Sequence, residues 1–362
     1  MNLSTSLLVV AVLSAALPLL AIGLRPPENL RDLEKTFVVG IATLGVGALA
    51  IRFFFAVSFF GLAHLLYLLL VVSAPILLVG WAVAARVRSR NTRLLTVLGS
   101  AGLIAAAFGL YGTHIEPNWL RVDRVAMNAP VNALRIGVLA DLQTPNVGPH
   151  EHNAVDRLLA EAPDVVLVPG DLFQGEAQQV AANASDFTDL LARLVTGVEL
   201  VAIVSGDSDN AELAETIASN AGAVFIDNQI LELDVRGQAV RLAGVSVQRW
   251  PVKLHVLAGL TEPSDAFTIL LSHRPGVVYE LPKQSDVDLI VAGHTHGGQV
   301  ALPFFGPPVT FSDIPRDLAA GGIGTVEGYT VYVSTGVGLE RFDAPQVRFG
   351  VRPSVGVIDV GP

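Results

Sequence analysis

The chain has 362 residues and no cysteine, with a 51 % hydrophobic share, 15 % charged residues and a formal net charge of −10. Water-soluble domains carry about 25 % charged residues, so the composition argues against an ordinary soluble enzyme of this length. The absence of cysteine excludes a disulfide framework, a thiolate zinc site and a cysteine nucleophile. The charge is also uneven: residues 1–113 hold 8 Lys/Arg and 3 Asp/Glu, a net of +5, whereas residues 114–362 hold 15 and 30, a net of −15. The chain therefore reads as two parts meeting near residue 113. The acidic second part argues against a nucleic-acid partner, because phosphate backbones require a basic surface.

Four apolar runs are expected to form an all-α transmembrane region over residues 1–113. Residues 7–24 carry no charge and have about the length that a bilayer core demands. No basic stretch precedes this run, so it reads as a retained span rather than a signal peptide. Residues 36–85 contain one charge, Arg52, and a single helix of that length would be roughly 75 Å long. Two spans, 36–57 and 62–85, are expected instead, with the turn in residues 52–62, where Arg52 and Ser58 reach the headgroup layer. The fourth run covers 94–112. Buried core helices are the alternative for any one of these runs. Arg25, Arg31 and Lys35 follow the first span, and Arg86, Arg88, Arg90 and Arg93 follow the third. The positive-inside rule places both loops in the cytoplasm, so four spans put everything after residue 113 on the extracytoplasmic face.

Residues 114–362 have a different pattern. The segments 134–142, 164–172, 199–209, 266–273 and 288–296 each join a short apolar run to a Gly, Asp or His. Near-continuous apolar runs of this length indicate strands buried on both faces with helices outside. Helices are expected over 152–163 and 209–220, the second capped by Asp209 or Asn210. A hairpin is expected over 231–247, turning at Gly237 and Gln238, and a further strand over 329–339. In such α/β sheets functional loops lie beyond the strand ends. That is where Asp141, Asp171, Asp207, His273, His294 and His296 fall.

A strand-end aspartate taken alone is more often a turn or helix cap, and a lone histidine more often a solvated loop residue. Five successive strand ends, each delivering an oxygen or imidazole donor, favour a metal centre. The Gly-His-Thr-His tip, read as a hairpin tip, offers two imidazoles to adjacent ions. Oxygen and imidazole donors together suit Mn, Fe or Zn.

The ordered motifs ADLQ (140–143), PGDLF (169–173), SGDSD (205–209), LSH (271–273) and GHTHGGQ (293–299) resemble those of the calcineurin-like metallophosphoesterases, in particular their membrane-associated bacterial branch. The resemblance covers roughly residues 114–362 and includes the IEP that precedes the domain, GGQVALPFFGP after the last motif, and the ending STGVGLERF with VRFG. It implies a four-layer α/β/β/α sandwich and two divalent metal ions, with metal-hydroxide attack on a phosphodiester, pyrophosphate or phosphomonoester. It also implies Asp171 as the bridge, Asp141, Gln143 and His296 completing one metal site, and Asp207, His273 and His294 completing the other.

Two motifs depart from the family pattern. Gln143 stands where the first motif usually has histidine and is expected to ligate through its amide oxygen. Ser208 stands where the third motif usually has a histidine that stabilises the transition state or protonates the leaving group, a role worth about 10²- to 10⁴-fold for a general acid. Asp209, His150 and His152 are the substitutes weighed for that acid, and Arg274 is the motif-borne cation for a phosphate, its alternative being a pair with an acidic neighbour. Three readings stay open: a working membrane-anchored phosphoesterase for a substrate with a good leaving group, a weak or inactive metal-binding sensor or binding module, and a membrane-attached interaction scaffold. Fewer than 30 residues separate Gly112 from Asp141, so a lipid- or cell-wall-linked phosphate is the expected substrate class. The segment 302–311, LPFFGPPVTF, either borders that substrate or packs on the sheet.

Overall fold

The computed structural model describes residues 7, 8, 11, 12, 15, 58–88, 92–247 and 250–362. The expected span over 36–57 lies outside the described residues, as does most of the span over 7–24. The chain divides into two compact units, Met1–Ile115 with Glu340–Gln346, and Glu116–Leu339 with Val347–Pro362.

In the first unit α1 (Phe59–Leu68) starts at Ser58, whose Oγ accepts a hydrogen bond from Gly61 N at 3.0 Å. It passes through a π-helical turn, Leu69–Ser73, into α2 (Ala74–Arg88), and α3 (Thr92–Leu110) follows. The helix start lies inside the 52–62 window expected for the turn. Phe59–Val83 and Thr96–Asn118, of 25 and 23 residues, are long and apolar enough to cross a membrane. They coincide with the third and fourth expected runs, and Leu70, Val83, Val97 and Leu103 on them are all exposed.

The second unit builds its strands and helices in alternation: β1 (Arg121–Asn128), β2 (Leu134–Val138), α4 (Pro149–Leu159), β3 (Val165–Val168), α5 (Ala177–Ala182), α6 (Ala184–Gly197), β4 (Leu200–Ile203), α7 (Ala211–Ala221) and β5 (Val224–Phe225). The chain continues with β6 (Gln229–Val235), β7 (Gln238–Val245), α8 (Trp250–Gly259), β8 (Phe267–Ser272), β9 (Leu289–Ala292), α9 (Arg316–Ala319), β10 (Gly322–Val326), β11 (Tyr329–Val333) and β12 (Ser354–Gly361). Two six-stranded sheets result, ordered β1-β12-β2-β3-β4-β5 and β10-β11-β9-β8-β7-β6. The pairs β2-β3, β3-β4, β7-β8, β8-β9 and β9-β11 are all parallel.

Alternation along each strand creates the layers. Val165 and Leu167 face Leu242, Ile269 and Val291 in a core between the sheets, while Val166 and Val168 meet Leu158 of α4 and Leu190 of α6 on the outer side. On the far side Leu270, Ile290 and Val331 pack against Leu257 of α8 and Leu318 of α9. The unit is therefore the expected α/β/β/α sandwich of mixed sheets. Local expectations shift: the helix expected over 152–163 runs Pro149–Leu159 and the strand expected over 329–339 runs Tyr329–Val333. The β6-β7 turn falls on Arg236 and Gly237, both with positive φ, and Gln238 already pairs with Val235. The Gly-His-Thr-His segment follows a strand with parallel neighbours on both sides, so it is a crossover turn and not a hairpin tip.

Candidate metal centre

Each predicted donor leaves the carboxyl end of a parallel strand: Asp141 and Gln143 after β2, Asp171 after β3, Asp207 after β4, His273 after β8, and His294 and His296 after β9. Both sheets end on the same side, so parallel register converges these loops. Five of the seven donors have left-handed backbone: Asp141 (φ 48), Gln143 (φ 43), Asp171 (φ 53), His294 (φ 72) and His296 (φ 48). Such conformations cost about 1 kcal/mol or more each and persist where the surroundings over-determine them. Here the loops hold one another. Asp141 N donates to Gly170 O at 3.2 Å, Gln143 N to Asp171 O at 2.9 Å and Gly338 N to Asp141 O at 2.7 Å. The Asp171 and Asp207 loops meet backbone to backbone: a Cβ on Gly170 would lie 2.5 Å from Gly206 N, and one on Gly206 would lie 2.0 Å from Asp171 Oδ1.

Donor atoms of Asp141, Asp171 and His273 form one group within 4.8 Å, and those of Asp207, His273 and His294 form another. Backbone carbonyls set the imidazole tautomers, because a carbonyl can only accept. His273 Nδ1 lies 2.8 Å from Pro169 O, and His294 Nε2 lies 3.3 Å from Phe311 O. His296 hydrogen-bonds the Gly338 backbone, leaving its Nε2 buried with no partner among the described residues. In each ring one nitrogen is held by the backbone and the other is left for the centre, the arrangement that orients histidine for metal ligation. His273 Nε2 and His294 Nδ1 are 3.3 Å apart, with Asp207 Oδ2 3.0 Å from the latter and Asp171 Oδ2 3.4 Å from the former. These nitrogen and oxygen atoms are donors of the kind that hold a divalent cation.

The other buried donors agree. Asp141 is fully buried, its Oδ2 has no hydrogen-bond partner among the described residues, and burial followed by the Asp171 charge pushes its pKa well up. Burial, and then the Arg348 charge, hold His296 well below the usual imidazole pKa, keeping it in the neutral form that ligates. The two donor groups, Asp141, Asp171 and His273 on one side and Asp207, His273 and His294 on the other, fit divalent cations and share His273, whereas His296 falls in neither group. Gln143 directs its Nε2 to Asp171 Oδ2 at 3.0 Å; turning the near-isosteric amide over puts its oxygen in that place.

The residues expected to take catalytic roles have other partners. Ser208 Oγ donates to Phe173 O at 3.0 Å, and its N–H donates to Asp171 Oδ1 at 2.9 Å. Asp209 is buried and accepts from Phe173 N and Gly206 N at 3.2 and 2.9 Å. Burial and the Asp171 charge push its pKa up to about 8. It ties the two aspartate loops together from behind the centre. Arg274 forks onto Asp207, with Nε and Nη2 at 3.0–3.1 Å. It thus takes the acidic-neighbour pairing that the sequence left open. His150 Nε2 contacts Val337 O and His152 Nδ1 contacts Arg193, so neither joins the donor groups.

One residue was missed as a site residue. Arg348 is fully buried, donates from Nη2 to the carbonyls of Thr335, Gly336 and Gly338, and braces the loop that holds Asp141 and His296. Its only signal in the sequence is a charge inside the otherwise apolar VRFG.

Strand-end oxygen and imidazole donors on a two-sheet sandwich define a class of α/β/β/α domains with a candidate metal site at the strand ends. Residues 134–298 match the family model of the calcineurin-like phosphoesterases, so the chain carries a calcineurin-like phosphoesterase domain. The chain is 22 % identical to the YpbG protein of Bacillus subtilis over 73 % of its own length and 94 % of that protein's. It is 26 % identical to the phosphodiesterase YaeI of Escherichia coli over 72 % and 96 %. It is 27 % identical to a transmembrane protein with metallophosphoesterase domain of Bos taurus over 57 % of this chain and 48 % of that one.

Proposed function

We propose that the chain is a membrane-anchored dinuclear phosphoesterase whose catalytic domain, residues 114–362, hydrolyses a phosphodiester or pyrophosphate with a good leaving group. The observation carrying this reading is the facing pair of imidazole nitrogens, each ring oriented by a backbone carbonyl, beside Asp171 and Asp207. The bound cations, of Mn, Fe or Zn type, supply Lewis-acid activation of phosphorus and a water of near-neutral pKa. The protein's own part is positional. Asp171, the bridge in this reading, accepts from Ser208 N at Oδ1 and from Gln143 Nε2 at Oδ2, and ligation by Gln143 requires its amide to turn over. His273 and His294 turn their second ring nitrogens to the centre, and Arg274 orients Asp207. Ser208 Oγ is held on a carbonyl and Asp209 is turned inward, so neither is poised to protonate a departing alkoxide. This favours a leaving group stable as an anion.

The membrane reading is supported by the two long apolar helices and by the name of the Bos taurus relative. The flanking arginines favour an extracytoplasmic catalytic domain, which makes a lipid- or cell-wall-linked phosphoester the natural substrate. A reporter fused after Pro362 that is active only outside the cytoplasm should be active; activity of a cytoplasm-only reporter refutes that topology. For the reaction, the purified full chain with added Mn should hydrolyse bis-p-nitrophenyl phosphate, and Asp171→Ala should not. Equal rates for the two proteins would refute the enzyme. The second reading, a metal-binding module with little turnover, is favoured by the Ser208–Phe173 hydrogen bond alone. It predicts bound metal in the same preparation without hydrolysis.

A further inference from the structure

A cavity of about 330 Å³ opens beside the centre, between α5 and the start of α7. This size falls within the roughly 300–1,000 Å³ of small-molecule sites. Phe173, Val180, Ala181 and Leu213 supply its hydrocarbon walls, with Ser208 and Asn210 as its polar members. Both polar side chains are engaged with backbone: Asn210 Oδ1 accepts from Leu213 N at 3.0 Å, capping α7, and Ser208 Oγ donates to Phe173 O at 3.0 Å. No charged residue lines the cavity, so it is not built for the phosphate itself. Its link to the centre is direct, because Ser208 lines the cavity and donates its N–H to Asp171 Oδ1 at 2.9 Å.

A phosphoryl group held at Asp171 would have this hydrocarbon-lined space as its neighbour. Its existence depends on small residues: a side chain longer than that of Ser208, or bulk on α5 at Ala181, would fill it. We propose that the cavity is a subsite for an uncharged hydrocarbon substituent of the phosphoester, which makes the substrate class phosphate esters of apolar alcohols. The subsite rests on the phosphoesterase reading and extends it to the alcohol side of the substrate.

Alkylphosphonates test it, because their P–C bond survives hydrolysis and their binding is read without turnover. Titration calorimetry of the full chain in detergent with Mn would compare methyl-, propyl- and pentylphosphonate. Affinity should rise by about fourfold per methylene, the increment for burying one CH₂. In Ala181→Phe, whose ring occupies the cavity, the three ligands should bind alike. Ala177→Leu, on the same short helix, should flatten the series in the same way and guards against misfolding of the first variant. Equal binding of all three phosphonates by the natural chain overturns the subsite and leaves the metal centre standing. A chain-length series that survives both variants also overturns it. Failure of every phosphonate to bind overturns the metal centre and the subsite together.

Discussion

Gly206→Ala tests whether the packing of two glycine loops positions the centre. The added Cβ would stand 2.0 Å from Asp171 Oδ1, 2.4 Å from Asp171 N and 2.7 Å from Asp171 Cγ. Rotating the carboxylate away relieves the first and third contacts but not the second, since the amide belongs to a backbone already at φ 53. The Asp171 loop must retreat by about 1 Å to restore ordinary contact distances, and a misplacement of that size costs roughly 10²-fold in rate. Overpacking of this kind costs about 1–3 kcal/mol, or about 2–4 °C in Tm per kcal/mol for a domain of this size. Mn-dependent turnover of bis-p-nitrophenyl phosphate and thermal unfolding would be measured together. Gly237→Ala provides the contrast: its Cβ meets nothing within 4 Å, although φ is +79. It should cost about 1 kcal/mol of stability through backbone strain alone and leave turnover unchanged. A folded Gly206→Ala protein with kcat within about twofold of the natural chain would refute the argument.

The clustering of Asp141, Asp171, His273 and His294 predicts that chelation lowers Tm and that Mn restores it; saturating a site at about 100 times Kd stabilises by about 2.7 kcal/mol, and a Tm indifferent to both treatments counts against the centre. Tyr332 is fully buried with a hydroxyl that finds no hydrogen-bond partner among the described residues. Tyr332→Phe should therefore raise stability by about 1 kcal/mol in denaturant titration, and a loss of that size would mean that the hydroxyl has a partner. In the 302–311 segment Phe304 is fully exposed and Phe305 half exposed, with the Arg316 guanidinium 4.5 Å from the Phe305 ring centre. Phe304→Ser with Phe305→Ser should shift Tm little, since exposed positions change stability by about 0.5 kcal/mol or less. The double variant should slow turnover of a micellar phosphoester and spare a soluble one; equal effects on both would remove the lipid role.

Much of the fold was legible because buried parallel strands are short and almost wholly apolar. The runs leading to Asp141, Asp171, Asp207, His273 and His294 became β2, β3, β4, β8 and β9, each starting within one residue of its expected start and ending one to four residues before the donor. Strands β1 and β12 were not legible, since the pairing of Arg121–Asn128 with Ser354–Gly361 joins opposite ends of the domain. Helix α6 was passed over although Phe187, Leu190, Leu191 and Leu194 recur at helical spacing.

The centre divides in the same way. Composition, the break in charge near residue 113 and the order of the donor motifs are properties of the chain alone, and they sufficed for the sandwich and for the expectation of two parts and an oxygen–imidazole centre. Within Ser-Gly-Asp-Ser-Asp nothing local tells Asp207 from Asp209. The fold sends the first toward His294 and Arg274, and the second inward onto the Phe173 and Gly206 amides. The direction in which each imidazole turns its second nitrogen is likewise a tertiary decision. The carbonyl that holds the opposite nitrogen comes from Pro169 for His273, Phe311 for His294 and Gly338 for His296, and only the closed sheets bring those residues together.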